Sequence, residues 1–224
     1  MKSETFDNIT LYNGDCIEYL RSLPDNAFEL AIVDPPTAQQ YARGKNGFGV
    51  CDNRPDRKDT AWDNAIPTQE YFDELRRVSK NQIIWCGIYY THLLPQSKCW
   101  LVWDKIGAMN SGSPYADCEL AWTSFNQVVR KFTLRQHGFI SDSKDGKRIH
   151  PTQKPTELYR WLLDRYAKAG DRILDTHLGS GSSAIAAWEL GYEFVGLEID
   201  ETYYNSAKNR LNKHIQTAQP KLDL

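Results

Sequence analysis

The sequence predicts an α/β fold with a mainly parallel sheet, because short strand-like runs alternate with amphipathic helical patterns. Several runs are apolar on consecutive residues, which is typical of strands buried on both faces of a sheet. They are also rich in β-branched and aromatic residues, which favour strands. The predicted strands are "ITLY" (9–12), "ELAIVD" (29–34), "NQIIWCG" (81–87), "CWLVWDK" (99–105), "CELAWTSF" (118–125), "RILDTH" (172–177) and "EFVGLEI" (193–199).

Helical patterns lie between these runs. The first begins at Asp15, a residue type whose side chain caps helix N-termini. The third ends at Gly170, since glycine is common directly after a helix. Residues 38–66 and 134–150 are polar, glycine-bearing and non-periodic, and we expect long loops there. The five helical patterns cover residues 14–25, 68–80, 155–170, 180–192 and 200–215.

The composition is that of an ordinary globular protein, with 224 residues, 41% of them hydrophobic and 25% charged, which suits one domain. The formal net charge of −2 excludes an overall basic surface that wraps nucleic acid, so any such contact must come from local patches. The five cysteines form no C-x-x-C pair, so we expect no metal, no disulfide framework and a reducing cytoplasm. No apolar run approaches membrane-spanning length, so we expect no membrane contact.

A glycine turn near the end of the chain indicates a ligand pocket. One predicted strand ends at Asp175, the turn Gly179–Gly181 opens a helix, and the next strand ends close to Glu198. Glycines let the backbone approach a ligand, and an acid about 20 residues on is placed to bind a ribose. NAD stays open on these residues alone, although the full G-x-G-x-x-G is absent. An acid before the turn repels a diphosphate and suits the cationic methionine end of S-adenosylmethionine.

A second feature is the rigid corner "VDPPT", in which Asp34 and two prolines close a predicted strand. Proline has a fixed φ and no backbone N–H, so two in succession stop a strand. They also hold the neighbouring carbonyl groups in a fixed direction, with little entropy left to lose. The corner therefore indicates a site that aims an acid and a carbonyl at a ligand.

Three motifs together resemble those of β-class amino-group DNA methyltransferases. "DPPT" resembles the DPPY signature, "DTHLGSGSS" the cofactor motif D-x-F-x-G-S-G-T, and "HPTQKP" (150–155) a segment that precedes that motif. The resemblance implies a doubly wound, mainly parallel seven-stranded sheet of the S-adenosylmethionine-dependent methyltransferase type. It also implies circular permutation, with the DPP motif first and the glycine turn last. We expect one domain over 1–224, an active-site flap at 38–66 and a small target-recognition region at 106–149.

The resemblance implies methyl transfer from S-adenosylmethionine to the exocyclic N6 of adenine in double-stranded DNA. The Asp34 carboxylate and the Pro35 carbonyl would hold the amine, whereas cytosine-N4 enzymes, the alternative, more often carry serine at that position. Thr37 departs from the family, in which an aromatic residue stacks on the flipped base. Either another aromatic residue stacks on the base in place of residue 37, or the protein is a cofactor-binding homologue with weak or no catalysis. The implied catalytic residues are Asp34, Pro35, Pro36 and Thr37, and the substitute aromatics Tyr41, Phe48, Trp62, Tyr89 and Tyr90.

The resemblance also implies cofactor roles by position. Glu198 would bind the ribose hydroxyls, and Asp175 with the glycine turn would face the methionine portion. Asp15 and Cys16 would lie beside the cofactor adenine, while Lys154 suits its carboxylate. The implied cofactor-binding residues are Asp15, Cys16, Asp34, His150, Thr152, Lys154, Pro155, Asp175, Gly179, Ser180, Gly181, Ser182 and Glu198.

Contacts with DNA are expected from basic and aromatic side chains in the two polar regions, since phosphate contacts need local arginine and lysine. The sequence leaves open whether two copies share this work as a homodimer. The candidate DNA-binding residues are Tyr41, Arg43, Lys45, Arg54, Arg57 and Lys58 in the first region, and Arg130, Lys131, Arg135, Lys144, Lys147 and Arg148 in the second.

Overall fold

The computed structural model describes residues 1–37, 66–109, 116–137 and 140–218. Its main sheet has nine strands in the order β1-β2-β11-β10-β3-β4-β6-β5-β7, and β8 and β9 form a separate hairpin. The strands are β1 (Lys2–Phe6), β2 (Ile9–Asn13), β3 (Phe28–Val33), β4 (Ser79–Trp85), β5 (Trp100–Asp104), β6 (Cys118–Thr123), β7 (Arg130–Thr133), β8 (Gln136–His137), β9 (Ile140–Ser141), β10 (Arg172–Asp175) and β11 (Glu193–Glu198).

The sheet is mixed, with a parallel centre. The five neighbouring strands β2, β11, β10, β3 and β4 run parallel to one another. Strand β1 pairs antiparallel with β2, and β6 pairs antiparallel with β4 and β5. The α/β class is confirmed, and each of the seven predicted runs overlaps a strand. The sheet has two strands more than the predicted seven, β1 and β7. Both are edge strands that are mostly exposed and carry no apolar run, so the sequence did not indicate them.

The five described α-helices overlap the predicted patterns. Asp15 caps the first, its Oδ1 accepting the N–H of Ile17 at 2.8 Å. The third ends at Tyr166, so the predicted end at Gly170 is wrong. The carboxylate of Asp171 accepts the N–H of Lys168 at 2.8 Å, and this turn replaces the last helical turn. The helices are α1 (Cys16–Arg21), α2 (Gln69–Val78), α3 (Thr156–Tyr166), α4 (Ser182–Glu189) and α5 (Glu201–Ala218).

Helices cover both faces of the sheet. One core joins the sheet to α3, α4 and α5, and the other joins its opposite face to α1 and α2. Neighbouring residues alternate between the two cores, as with Leu30 and Ile32 in the first and Ala31 and Val33 in the second. Among the described helices none is both long and apolar enough to cross a membrane.

The order of the strands creates a crevice beside β10. From β10 the chain passes through α4 to β11 on one side, whereas β3, the neighbour on the other side, leads through α2 to β4. Open α/β sheets bind ligands outside the carboxyl ends of strands at such a reversal of order. Asp34 and the glycine turn both follow strands that end here.

Candidate functional site

A cavity of about 440 Å³ lies at the carboxyl ends of β3, β10 and β11. This size falls in the range of about 300–1,000 Å³ that is usual for small-molecule sites. Asp34 and the glycine turn share this cavity, as the sequence predicted. Of the predicted site residues, its wall contains Asp15, Cys16, Asp34, Pro36, His150, Thr152, Lys154, Gly179, Ser180, Ser182 and Glu198.

Backbone groups organise the glycine turn. Gly179 and Gly181 have φ of +53° and +75°, the left-handed region that glycine adopts without strain. A Cβ on Gly181 would lie 3.2 Å from the side chain of Ala207 in α5. The carboxylate of Glu198 accepts the N–H groups of Gly179 at 2.9 Å and Asp200 at 3.0 Å, which ties the turn to the end of β11. Burial raises the pKa of Glu198.

Asp175 lies beneath the turn and not on the cavity wall. Its two carboxylate oxygens accept the hydroxyl of Ser183 at 2.6 Å and the N–H of His177 at 3.0 Å. Burial raises the pKa of Asp175 to about 7. The side chain therefore braces the loop, whereas the sequence placed it towards the ligand. Gly181 and Pro155 are likewise buried behind the wall.

Arg210 of α5 clamps the same turn and was not predicted. Its guanidinium donates to the carbonyl oxygen of Ser180 at 2.9 Å and the hydroxyl of Ser182 at 2.8 Å. It also pairs with Asp145 at 2.9 Å, which joins α5 to the loop before α3. No local pattern marks Arg210, since it is one of several polar residues in a long amphipathic helix.

The proline corner is held from below by Tyr90. Its hydroxyl lies 2.8 Å from the carbonyl oxygens of both Pro35 and Pro36, so its one hydrogen is shared between them. Because Tyr90 is fully buried, the prediction that it could stack on a base is wrong. Tyr89 is 48% exposed on the short 3₁₀ helix Gly87–Tyr90 that follows β4. Tyr41, Phe48 and Trp62 lie outside the described residues, as does nearly all of the predicted flap.

The Asp34 carboxylate has two side-chain donors among the described residues. Its Oδ2 lies 2.5 Å from the Nζ of Lys154, and its Oδ1 lies 3.8 Å from the Sγ of Cys86. Cys86 has φ of +58°, a conformation that is strained for a residue with a Cβ and is common at functional sites. Burial raises the pKa of the Cys86 thiol, so Cys86 acts as a neutral donor.

Lys154 faces protein carboxylates. Besides Asp34, its Nζ lies 3.2 Å from an oxygen of Glu119, whose other oxygen lies 3.1 Å from the Nζ of Lys105. The sequence placed Lys154 at the carboxylate of a cofactor and did not mark Glu119 or Lys105. The four side chains form a chain of alternating charge that begins at the cavity.

Burial and neighbouring charges act in opposite directions on these groups. Burial raises the pKa of Asp34, and Glu119 adds to the rise although Lys154 opposes it. Burial alone would raise the pKa of Glu119, but Lys154 and Lys105 outweigh burial and hold that pKa below its ordinary value. Burial alone would lower the pKa of Lys154, but the two carboxylates raise it well above its ordinary value. Asp34 is therefore the carboxylate of this group that binds a proton more readily.

Two neutral imidazoles and Tyr71 also line the wall. The Tyr71 hydroxyl lies 2.6 Å from the Thr176 hydroxyl, which lies 2.9 Å from the Nδ1 of His177. Burial lowers the pKa of both His177 and His150 to about 4, so both rings are neutral at pH 7. Tyr71 lies in the predicted helical pattern 68–80, and although its exposure is only 2%, it reaches the cavity.

The basic residues predicted to contact DNA are scattered. Lys131 pairs with Asp104 at 3.1 Å and Arg135 with Asp142 at 2.7 Å, and all of the first set lie outside the described residues. Arg130 begins β7, which runs in the same direction as β3, so it lies at the end of the sheet away from the cavity.

The loop before His150 is anchored next to the cavity. The carboxylate of Asp145 accepts the N–H of Thr156 at 2.9 Å, at the start of α3. Lys147 and Arg148 are exposed on this loop, and Lys144 donates its N–H to Glu157 at 2.9 Å. The region 106–149, predicted to recognise the target, also contributes β6 and β7 to the main sheet. Its recognition role stays a prediction.

Comparisons with known proteins agree with the motifs. A family model described as DNA methylase (N6_N4_Mtase) matches residues 97–209, half of the chain. The Type II methyltransferase M.HinfI of Haemophilus influenzae is 25% identical over 91% of this chain and 68% of its own length.

Two solved structures share the fold. The M1.HpyAVI–SAM complex has a TM-score of 0.59 at 21% identity and covers 91% of this chain and 99% of its own. The cytosine-N4-specific PvuII DNA methyltransferase has a TM-score of 0.60 at 13% identity and covers 95% of this chain and 92% of its own. On the family match, the protein belongs to the N6/N4 DNA methylases.

Proposed function

We propose that this DNA methylase transfers a methyl group from S-adenosylmethionine to the exocyclic N6 of adenine in double-stranded DNA. The observation that carries the proposal is that the Asp34 carboxylate and the glycine turn line one cavity. A carboxylate that accepts N–H bonds and a turn that admits a cofactor are the two parts that amine methylation needs in one place.

The residues of the cavity fit S-adenosylmethionine, the cofactor of this family. The bound cofactor supplies an electrophilic methyl group on a sulfonium. Glu198 uses its two oxygens for backbone N–H groups and still lines the cavity, so it has lone pairs left to accept ribose hydroxyls. Asp15 and Glu198 favour a cationic ligand there, since the charge of Asp34 is already offset by Lys154 on the same wall. Cys16 lines the same wall as a neutral thiol, because burial raises its pKa to about 12.

Asp34 has a defined task in this reaction. The lone pair of an aromatic amine is delocalised into its ring, so the amine is a poor nucleophile. By accepting an amine N–H, the Asp34 carboxylate draws the nitrogen towards a tetrahedral shape and localises the lone pair. After transfer the amine is acidic, and the raised pKa of Asp34 suits it to receive the proton.

The proline carbonyls supply the second acceptor. Tyr90 donates to the carbonyl oxygens of Pro35 and Pro36, of which Pro36 lines the cavity, and fixes their direction. A carbonyl oxygen held in this way has a second lone pair for the other amine hydrogen. Positioning by a rigid corner reduces the entropy that the reaction must lose.

The choice of adenine rests on Asp34, because the cytosine-N4 enzymes of the family more often carry serine there. A transfer assay decides the base. The protein is incubated with tritiated S-adenosylmethionine and unmodified genomic DNA, the DNA is digested to nucleosides, and the labelled nucleoside is identified by chromatography. We expect N6-methyladenine, no label with Asp34→Ala, and unchanged transfer with Asp25→Asn, a carboxylate away from the cavity. Label in N4-methylcytosine, or full transfer by Asp34→Ala, would overturn the proposal.

Thr37 favours a second candidate, a homologue that binds the cofactor without catalysis. Base stacking on an aromatic side chain is worth about 1–3 kcal/mol, so its loss weakens binding of a flipped base. The same transfer assay on Thr37→Tyr separates the candidates. Restored or increased transfer shows intact chemistry with a missing stacker. Tight cofactor binding by calorimetry with no transfer by either protein supports the second candidate.

A further inference from the structure

Glu119 belongs to no motif of the sequence, yet it shares an ammonium group with the acid of the proline corner. We propose that Glu119 is a positioning residue that competes with Asp34 for Lys154 and so sets how firmly Asp34 is held as a carboxylate. This inference rests on the proposed function, because it concerns the acid that accepts the amine.

The geometry places one cation between two anions. The Nζ of Lys154 lies 2.5 Å from Asp34 and 3.2 Å from Glu119, and the Lys154 side chain is only 4% exposed. An ammonium has three N–H donors, so it can bind both carboxylates at once. Lys105 lies 3.1 Å from Glu119 on the far side, which makes the four-residue chain neutral overall.

Among the residues that the structure describes, the other titratable side chains around Asp34 do not compete for Lys154. Cys86, Tyr71, Tyr90 and Tyr159 are neutral at pH 7 because burial raises the pKa of each. Asp175 uses its oxygens for Ser183 and His177. In the described part of the chain, the charged groups that govern Lys154 are therefore Asp34, Glu119 and Lys105.

The competition has a direct consequence for the reaction. Asp34 has lone pairs left to accept an amine hydrogen, but once it takes up the proton it holds Lys154 less strongly. When the amine N–H bond breaks and an Asp34 O–H bond forms, Asp34 becomes neutral. Lys154 then keeps its positive charge beside the Glu119 carboxylate, so no buried cation is left without a partner.

Two substitutions test this with opposite signs. Glu119→Gln removes a negative charge and leaves Lys154 to Asp34 alone, so the pKa of Asp34 should fall by about one unit, a tenfold change in proton affinity. Lys105→Gln frees Glu119 to attract Lys154 more strongly, so the pKa of Asp34 should rise. Lys105→Arg keeps the positive charge and serves as the matched control, with no shift expected.

The pKa is read in the cofactor-free protein from the ¹³C resonances of labelled aspartate carboxyl groups, with the Asp34 signal assigned by its loss in Asp34→Asn. In the transfer assay, the acid limb of the pH dependence of kcat should move in the same directions. We also expect kcat of Glu119→Gln to fall several-fold while KM for the cofactor changes less than twofold.

The outcomes separate this inference from the function on which it rests. Shifts of one sign for both variants, or none for Glu119→Gln, overturn it and show a merely structural Glu119. A wild-type protein that transfers no methyl group defeats the proposed function, whereas opposite shifts in the carboxyl resonances would still establish the competition for Lys154.

Discussion

The two sides of the cavity are built in different ways. On the glycine-turn side, backbone N–H groups and one braced loop between Asp175 and Asp200 hold the turn, and Arg210 of α5 clamps it. On the Asp34 side, four charged side chains come from four separate segments of the chain. Only one part of this second side, the proline corner, is local in sequence.

The difference reflects what each side must do. A cofactor pocket needs a fixed shape, and backbone groups in a tight turn keep their shape at little entropic cost. An acid that accepts hydrogen bonds and then a proton needs an adjustable charge, which side chains with shifted pKa values supply. The glycine-turn side should therefore be sensitive to steric changes, and the Asp34 side to changes of charge.

Removal of Lys154 should have the largest effect. Lys154→Met leaves the partly buried Asp34 and Glu119 without the buried cation that they share, and breaking a buried pair costs about 3–5 kcal/mol of unfolding free energy. Urea unfolding followed by circular dichroism measures it. Lys208→Met, which breaks the exposed pair with Glu4, is the control and should cost less than about 1 kcal/mol. If both variants lost the same unfolding free energy, the Lys154 ion pairs would stabilise the protein no more than an ion pair at the surface does.

Asp175 extends the charge argument to the glycine-turn side. Its pKa of about 7 in the folded protein exceeds its ordinary value in the unfolded chain, so the folded state binds this proton more tightly. The stability from Asp175 is therefore complete below about pH 4 and is lost as the pH rises through 7, by about 2–4 kcal/mol.

Unfolding free energies of the wild type and Asp175→Asn, measured from pH 4 to 8, test this. The two proteins should be closest in stability at low pH, where Asp175 is neutral as asparagine is, and the variant should gain on the wild type as the pH rises through 7. Asp34 and Glu198 also have raised pKa values and leave a residual slope in the variant. Parallel curves for the two proteins would mean that Asp175 is ionised throughout.

The local parts of the molecule could be predicted from the sequence. Buried strands, the Asp15 cap and the approach of Asp34 to the glycine turn depend on the order of neighbouring residues and on strand ends meeting at one edge. Glu119 could not be found in this way. In the sequence, Glu119 is a polar residue near the start of a predicted strand. It reaches Lys154 only because β6 lies antiparallel between β4 and β5.

Tyr90 illustrates the same limit. It follows a strand beside the proline corner, where an aromatic residue is equally suited to packing and to stacking on a base. Only the tertiary structure shows that its hydroxyl lies beneath the corner and its ring in the core. Roles that depend on which face of a turn a side chain occupies are not encoded in a local pattern.

A steric change should affect the glycine-turn side. Gly181→Ala forces a Cβ into the left-handed region and to 3.2 Å from Ala207, so we expect a loss of about 1–2 kcal/mol in stability and weaker cofactor binding. Gly191→Ala is a matched control, because Gly191 has the same φ of +75° but open space around its Cβ. Calorimetry should show weakened cofactor binding only for Gly181→Ala. If both variants bound the cofactor as the wild type does, the close approach of α5 would have no role in shaping the pocket.

The smallest expected effect is that of Tyr90→Phe, which tests the local part of the Asp34 side. The substitution removes the hydroxyl that fixes the Pro35 and Pro36 carbonyls, and one such hydrogen bond is worth about 1 kcal/mol. Tyr204→Phe is the control, because among the described residues the buried Tyr204 hydroxyl has no hydrogen-bond partner, so its loss should leave stability unchanged or slightly higher. In the transfer assay, a corner that is aimed less well should lower kcat of Tyr90→Phe and leave KM for the cofactor unchanged. If only KM for the cofactor changed, Tyr90 would shape the cofactor pocket, and the orientation of the Pro35 carbonyl would not affect the rate of transfer.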